Sequence, residues 1–387
     1  MQGHIRRRGK RSWAIILDLG RDNDGKRKQK WHSFKGTKKD AEAELARIVT
    51  NINTGEYVPP SKMLVRDYLN KWLVDYVAGN TSPKTRERYK EMIDAHINPA
   101  IGGHLLSKLM PLHIQSFYTA AQTSGRKDGK GGLSAQSVLH FHRVLHKALS
   151  LAVRWQLLVR NPADAVQPPR PERKEMNALN EAETATMLKR LEASRLHVPV
   201  VIGIATGARR GELLGLHWRN VDLETGHITI TESLEQTKEG IRFKTPKTQK
   251  GRRGIPLPSF SVEILKNHKR EQTEHRLKLG PLYKNNDLVF PRPDGTVWAP
   301  DTFSTAFASF IRRSGLPHVR FHDLRHTHAT QLLKQGVHPK VVSERLGHSK
   351  VSITLDTYSH VLPGMQEDAA EKIDLAMRFA IQGEEDK

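Results

Sequence analysis

Two short stretches that suit neither helix nor sheet divide this chain of 387 residues. Residues 55–62 carry Pro59-Pro60, and residues 167–174 read Gln-Pro-Pro-Arg-Pro-Glu-Arg-Lys, an extended basic tether. Proline has no amide proton to give a ladder, and it pushes the residue before it out of the helical region. The chain therefore folds in three pieces, 1–57, 63–165 and 175–387, and each has its own periodicity.

The first piece is small and basic, with 13 Lys+Arg against 4 Asp+Glu in residues 1–40. Residues 12–19 read as a strand, Asp22-Asn23-Asp24-Gly25 as a turn, and residues 30–34 alternate apolar and polar as a second strand does. Residues 37–53 read as a helix. Thr37-x-x-Asp40 resembles a capping box at its start, and Ala41, Ala43, Leu45, Ala46 and Ile48 give it an apolar side. A three-stranded sheet with one packed helix follows, its basic strands presented on the open face.

The second piece reads as all helix. Leu64, Tyr68, Trp72 and Tyr76 recur every four residues, with Leu69 and Leu73 beside them. Ser82-Pro83 opens a second helix that runs to Ile93, residues 112–121 make a third, and residues 134–156 a fourth with Val138, Phe141, Leu145, Leu149 and Val153 on one face. Asn161-Pro162 ends that helix, and the loop 124–132 is too polar to bury. In the third piece Asn180-x-x-Glu183 caps a helix, and strands are expected at 227–233, 241–244 and 253–257. Helix follows from Asp301 nearly to the end, which makes this piece mixed α+β, with helices around a small antiparallel sheet.

Charge points to the partner. With 63 Lys+Arg against 41 Asp+Glu the net charge is +22, an excess that suits a polyanion, nucleic acid first. The absence of cysteine removes disulfides, thiolate metal sites and cysteine nucleophiles, and fits a reducing cytosol. The longest strongly apolar run, 198–205, is far short of the roughly 20 residues of a membrane span. No membrane partner is expected.

Four pieces of the third segment carry chemistry. In Thr206-Gly207-Ala208-Arg209-Arg210-Gly211-Glu212, Arg209 and Glu212 are spaced to touch across one helical turn. Residues 244–253 hold five cations and no acid, as a basic hairpin tip following a phosphate backbone does. In His322-Asp323-Leu324-Arg325-His326, His322 and Arg325 share a helical face. His322 and His326 also imitate a zinc-binding His-Glu-x-x-His pair, but Asp323 is a methylene short of the required Glu, and Arg325 would face the cation. Leu346-Gly347-His348 is followed ten residues later by Tyr358. Together these are two arginines, a lysine, two histidines and a tyrosine, a set able to attack a phosphodiester.

The combination of TGARRGE, the basic stretch with Lys247, HDLRH, LGH and the late tyrosine resembles the tyrosine recombinase (phage integrase) family, in particular integrases of phages and integrative or conjugative transposons. The resemblance implies an arm-type DNA-binding module at 1–57, a helical core-binding domain at 63–165 and a catalytic domain at 175–387. It implies a site-specific recombinase that cleaves and rejoins DNA through a 3′-phosphotyrosyl intermediate, with no cofactor. Arg209, Lys247, His322, Arg325, His348 and Tyr358 match the catalytic positions, with Glu212 in support and the register of Lys247 open against Lys244 and Lys250. The DNA contacts expected are Arg6, Arg7, Arg8, Lys10, Arg11, Lys28 and Lys30 in the first piece, and Lys244, Lys250, Arg252 and Arg253 in the third. Implied partners are double-stranded DNA at arm and core sites, three further copies in a tetramer, and an excisionase or host DNA-bending protein. The implied location is the bacterial cytoplasm, on the nucleoid when acting. An amphipathic helix at 367–381, with Ala370, Ile373, Leu375, Ala376, Phe379 and Ala380 on its apolar side, docks on a neighbouring copy or packs back on its own. Two other readings stand beside this one: a DNA-binding regulator that has lost the chemistry, and a strand-relaxing enzyme of the type IB topoisomerase kind.

Overall fold

A computed structural model of the protein describes residues 3–21, 27–53, 61–172, 178–245, 251–358, 370–371 and 373–378. The chain forms two compact units, Met1–Arg173 and Lys174–Lys387.

In the first unit β1 (Gly3–Gly9), β2 (Ser12–Arg21) and β3 (Arg27–Lys35) form an antiparallel sheet with β2 in the centre. Ile5, Ile15, Leu17 and Phe34 meet Leu45, Ile48 and Val49 of α1 (Lys38–Asn53). The start of α1 is a closed capping box: the Thr37 amide donates to Asp40 Oδ2 at 2.9 Å, and the Asp40 amide to Thr37 Oγ1 at 3.3 Å. Register places Arg6 beside Ala14 and Ser33, and His4 beside Ile16 and Trp31, on the face away from α1. The turn expected at 22–25 lies outside the described residues.

The helical part comprises α2 (Val65–Trp72), α3 (Ala78–Asn80), α4 (Pro83–Met92), α5 (Asn98–Ile101), α6 (Pro111–Ser124) and α7 (Ala135–Arg154). One turn of π-helix, Leu73–Val77, joins α2 to α3, and another, Ile93–Ile97, joins α4 to α5. The second helix thus continues past Ile93 to Ile101, because Ile97 and Ile101 are core residues as well. Trp72 is fully buried and stacks on Tyr76 and Tyr89, with ring centroids 6.4 and 5.7 Å away. Ser82 and Ser134 cap α4 and α7 through their hydroxyls. α7 stops at Arg154, two residues earlier than the sequence suggests: Gln156 adopts φ 57° and breaks the helix. Asn161-Pro162 therefore opens a short 3₁₀ turn, Pro162–Ala165, and does not end α7.

The second unit begins with α8 (Glu181–Leu191), whose Asn180 and Glu183 form a reciprocal capping box, followed by α9 (His197–Thr206) and α10 (Arg210–Leu214). The expected single sheet is two. β4 (Val221–Asp222), β5 (His227–Ile230) and β8 (Arg253–Pro256) form one in the order β4-β5-β8, and β6 (Ser233–Thr237) pairs with β7 (Gly240–Lys244) in the other. β7 and β8, the strands on either side of the basic stretch, are consequently not partners in a hairpin: β8 takes its partner from β5, burying Ile255 opposite Ile228, while β7 is paired with β6, Phe243 opposite Leu234. Residues 246–250, with Lys247 and Lys250, lie outside the described residues. Then come α11 (Ser259–Leu279), α12 (Pro300–Arg313), α13 (Asp323–Lys334), α14 (Pro339–Leu346) and α15 (Val351–Tyr358). Of the expected terminal helix, 370–371 and 373–378 are described and helical, with Ile373, Leu375 and Met377 exposed; Phe379 and Ala380 lie outside the described residues. Among the described residues no helix is long and apolar enough to cross a membrane.

Candidate active site

α9 is apolar on nearly every side and buried, so the chain leaving it must turn within the core. Gly207 makes that turn at φ 64°, where an added Cβ would lie 2.6 Å from Leu346 Cδ2. Arg209, two residues on, caps α10. Its amide donates to Glu212 Oε2 at 2.9 Å, and its Nη1 to Glu212 Oε1 at 2.7 Å. Glu212 is buried and shared, because Arg253 on β8 also donates to Oε2, Nη2 at 2.9 Å. Burial pushes the Glu212 carboxyl up, but the Arg253 bond and charge, then Arg209, outweigh it and hold the pKa below the usual range.

α13 supplies Arg325, which is buried and forks onto two carbonyls: Nη1 donates to Gly207 O and Nη2 to Leu346 O, both at 2.7 Å. Arg209 Nη2 donates to Gly347 O at 3.1 Å. The two guanidinium groups are thus moored on consecutive carbonyls, where the turns after α9 and α14 meet. Burial, then the Arg209 charge, pushes the Arg325 pKa down to about 9, so it keeps its proton at neutral pH. Gly347 sits at φ 66°, where a Cβ would fall 2.8 Å from Arg253 Nη1. His348 Nδ1 lies 2.9 Å from Thr354 Oγ1, which leaves Nε2 as its outward nitrogen. Burial, then the Arg325 and Arg209 charges, pushes His348 down to about 4, so its ring is neutral.

Tyr358 ends α15 and is buried, 2% exposed. Burial raises its hydroxyl to about 12, against the pull of Arg325. That hydroxyl lies 2.7 Å from Nδ1 of His326, a residue that sequence reasoning weighed only as a metal ligand. The signal was present, since His326 follows Arg325 directly, but nothing in the sequence says that α15 folds back against this position. His322 is exposed at the start of α13, its ring edge-on to His326 with centroids 5.5 Å apart. Asp323, the acid of the zinc reading, accepts instead from Arg320 N at 2.7 Å and Nη2 at 2.8 Å.

The structure therefore gathers Arg209, Glu212, Arg325, His348 and Tyr358, with His322 at the edge. Lys247 and Lys250 lie outside the described residues. Two expected DNA contacts are occupied otherwise: Lys244 donates to Glu235, and the Arg253 side chain is 7% exposed, turned inward on Glu212. Arg253 is a brace for Arg209, and the basic stretch presents Arg252 outward in its place. In the first unit Arg6, Arg7, Arg8, Lys10 and Arg11 are exposed, Lys30 is half-buried, and the Lys28 side chain lies outside the described residues.

A tyrosine hydroxyl beside paired guanidinium forks and neutral imidazoles is an arrangement with the groups that phosphoryl transfer needs. Comparison with known proteins gives the family. Residues 172–364 match the phage integrase family, 64–121 the N-terminal SAM-like domain of phage integrases, and 4–52 an arm DNA-binding domain. Over 385 residues the chain is 30% identical to a XerC-like tyrosine recombinase of Caldanaerobacter subterraneus subsp. tengcongensis, covering 94% of this chain and 96% of that protein. Over 297 residues it is 28% identical to the ICEBs1 integrase of Bacillus subtilis, covering 76% and 78%. Its fold is similar to that of the Tn1549 transposon integrase in complex with transposon right end DNA, with a TM-score of 0.68 at 20% identity, covering 81% of this chain and 100% of that one. The chain belongs to the tyrosine recombinase (phage integrase) family, and it is an enzyme of site-specific DNA recombination.

Proposed function

We propose that this recombinase cleaves DNA with Tyr358, aided by Arg209, Arg325, His348, His322 and Lys247, during integration and excision of a mobile element. The observation that carries the reading is the mooring of Arg209 and Arg325 on adjacent carbonyls beside His348 and Tyr358. Two fixed guanidinium forks suit the two non-bridging oxygens of a phosphodiester, on which negative charge grows in the transition state. Tyr358 Oη bonds to phosphorus as the bond to the 5′-oxygen breaks, leaving a 3′-phosphotyrosine and a 5′-hydroxyl. Lys247 protonates the leaving oxygen, and His348 donates to the phosphate through Nε2. Because the bond energy is kept in the phosphotyrosine, a 5′-hydroxyl of the partner strand can reverse the step.

The basic sheet at 1–57 is assigned to arm sites, the helical part at 63–165 to core sites, and 175–387 to catalysis. Holding both kinds of site on one chain raises the effective concentration of each for the other. The working unit is a tetramer on two duplexes, in the bacterial cytoplasm, with an excisionase or DNA-bending protein as accessory; the exposed Ile373 and Leu375 support docking of the last helix on a neighbouring copy. The test is a denaturing gel for covalent protein–DNA adduct on supercoiled DNA carrying the element's junction. Wild type gives a protease-sensitive adduct, and Tyr358→Phe binds the same DNA without forming one. An adduct in Tyr358→Phe overturns the assignment, and binding without any adduct in wild type favours the regulator reading.

A further inference from the structure

Attack by a tyrosine requires its proton to leave, and the side chain nearest that hydroxyl is a histidine that the family motif does not count among its catalytic positions. Tyr358 Oη is 2.7 Å from Nδ1 of His326, both side chains being buried, whereas His322 is exposed, its ring perpendicular to that of His326 with centroids 5.5 Å apart. We propose that His326 Nδ1 is the acceptor of the Tyr358 proton during cleavage and its donor during religation.

The inference rests on the reading of Tyr358 as nucleophile. The balance is simple: as Tyr358 Oη bonds to phosphorus, its proton passes to Nδ1 and the imidazole becomes imidazolium. The departing 5′-oxygen takes its own proton from the group on its other side, and religation returns the Nδ1 proton to Tyr358. The groups facing His326 set its readiness. Burial, then His322, lowers its pKa to about 4; Asp323 opposes this, while Arg325 and Arg320 add to it. The ring is therefore neutral in the DNA-free chain, and in the tautomer that carries its proton on Nε2 the Nδ1 lone pair accepts from the tyrosine hydroxyl. His348 also feels His326, so the imidazolium forms near a second neutral ring. A DNA phosphate held by Arg209 and Arg325 adds negative charge beside His326 and makes the proton transfer easier than in the free protein.

Asparagine places an amide near the Nδ1 position, so His326→Asn keeps a hydrogen bond to the tyrosine but cannot take its proton. On a nicked suicide duplex carrying the element's junction, the expected loss in single-turnover cleavage is about 100-fold or more at neutral pH, shrinking as pH rises. Difluorotyrosine at position 358, whose hydroxyl ionises near neutral pH, is expected to rescue most of that loss; a purely structural defect is not rescued. Cleavage by His326→Asn within threefold of wild type, or a rescuable loss in His322→Asn alone, overturns the proposal. If His326→Asn does not fold, the test is the imidazole nitrogen NMR signal of His326 in the full chain. It should shift in Tyr358→Phe, and an unmoved signal overturns the proposal too. Adduct formation by wild type separates failure of this step from failure of the nucleophile assignment.

Discussion

Glu212 is one carboxylate asked to balance Arg209 and Arg253 directly, with Arg325 close enough to feel its charge. A buried acid in that place is held by charge-assisted bonds on both oxygens, and each arginine relies on it to remain aimed. Glu212→Ala leaves buried guanidinium groups unpaired, which costs about 3–5 kcal/mol where such a pair is broken from one side. The expected result is a fall in Tm of roughly 10 °C by calorimetry and loss of adduct formation. A variant as stable as wild type would mean that water or Gly347 O satisfies Arg209 equally well. The Arg209–Glu212 contact is legible in the sequence because it is local, three residues along one helix start. Arg253 and His326 are not, because each acts through a partner brought by tertiary packing, 41 residues away for Arg253 and 32 for His326. Local spacing reveals which residues can meet on one element, and says little of what the next element lays against them.

α13 shows the same division at the scale of an element. Its helical face and its cluster of titratable groups can be read from His322 to His328, but their burial cannot, since the sequence of α13 is mostly polar. Likewise, strands are expected at 227–233 and 253–257, yet the pairing of β5 with β8, across the intervening β6–β7 pair, is a tertiary contact that no local pattern states. Burial of α13 has a consequence for pH. His326 is pushed down to about 4 by burial and then His322, and His328 to about 3 by burial and then the Arg345 charge; His348, on the loop after α14, lies at about 4. Unfolded, all three titrate near 6.5, so the unfolded chain binds protons first as the pH falls. Their contribution to stability is thus complete above about pH 6.5 and is lost progressively down to about pH 4 for His326 and His348 and to about pH 3 for His328. Carboxylates titrate mostly below this window, which leaves the histidines in control of the slope. Between pH 6 and 5 each buried histidine removes up to about 1.4 kcal/mol, so the catalytic unit should melt roughly 5–10 °C lower at pH 5. Calorimetry of the full chain checks this, and a Tm flat from pH 7 to 5 would show that these rings protonate in place.

Over the whole molecule, charge and composition state the partner more clearly than any single residue does. The net charge of +22 is spread over both units, but not evenly over their surfaces. On the sheet of the first unit, Arg6 and Arg8 stand on the face away from α1, the Arg8 guanidinium 5.5 Å from the exposed Trp31 ring. In the second unit, Arg253 and Arg325 are withdrawn into the site, so they contribute to phosphate chemistry and not to long-range tracking. The two roles respond differently to salt. Surface cations release counterions from DNA, and each phosphate neutralised adds about −0.9 to the slope of log K against log salt. A chain engaging arm and core sites together should show a slope of about −6 or steeper, measured by fluorescence anisotropy on junction DNA. Arg6→Gln with Arg8→Gln should make that slope shallower by about 2 while leaving the rate of Tyr358 cleavage on a saturated core duplex unchanged, because neither side chain belongs to the catalytic unit. An unchanged slope in the double variant would remove this face from the DNA contact. A parallel loss of cleavage on the saturated core duplex would instead tie the first module to catalysis, and contradict the separation of recognition from chemistry that the two units suggest.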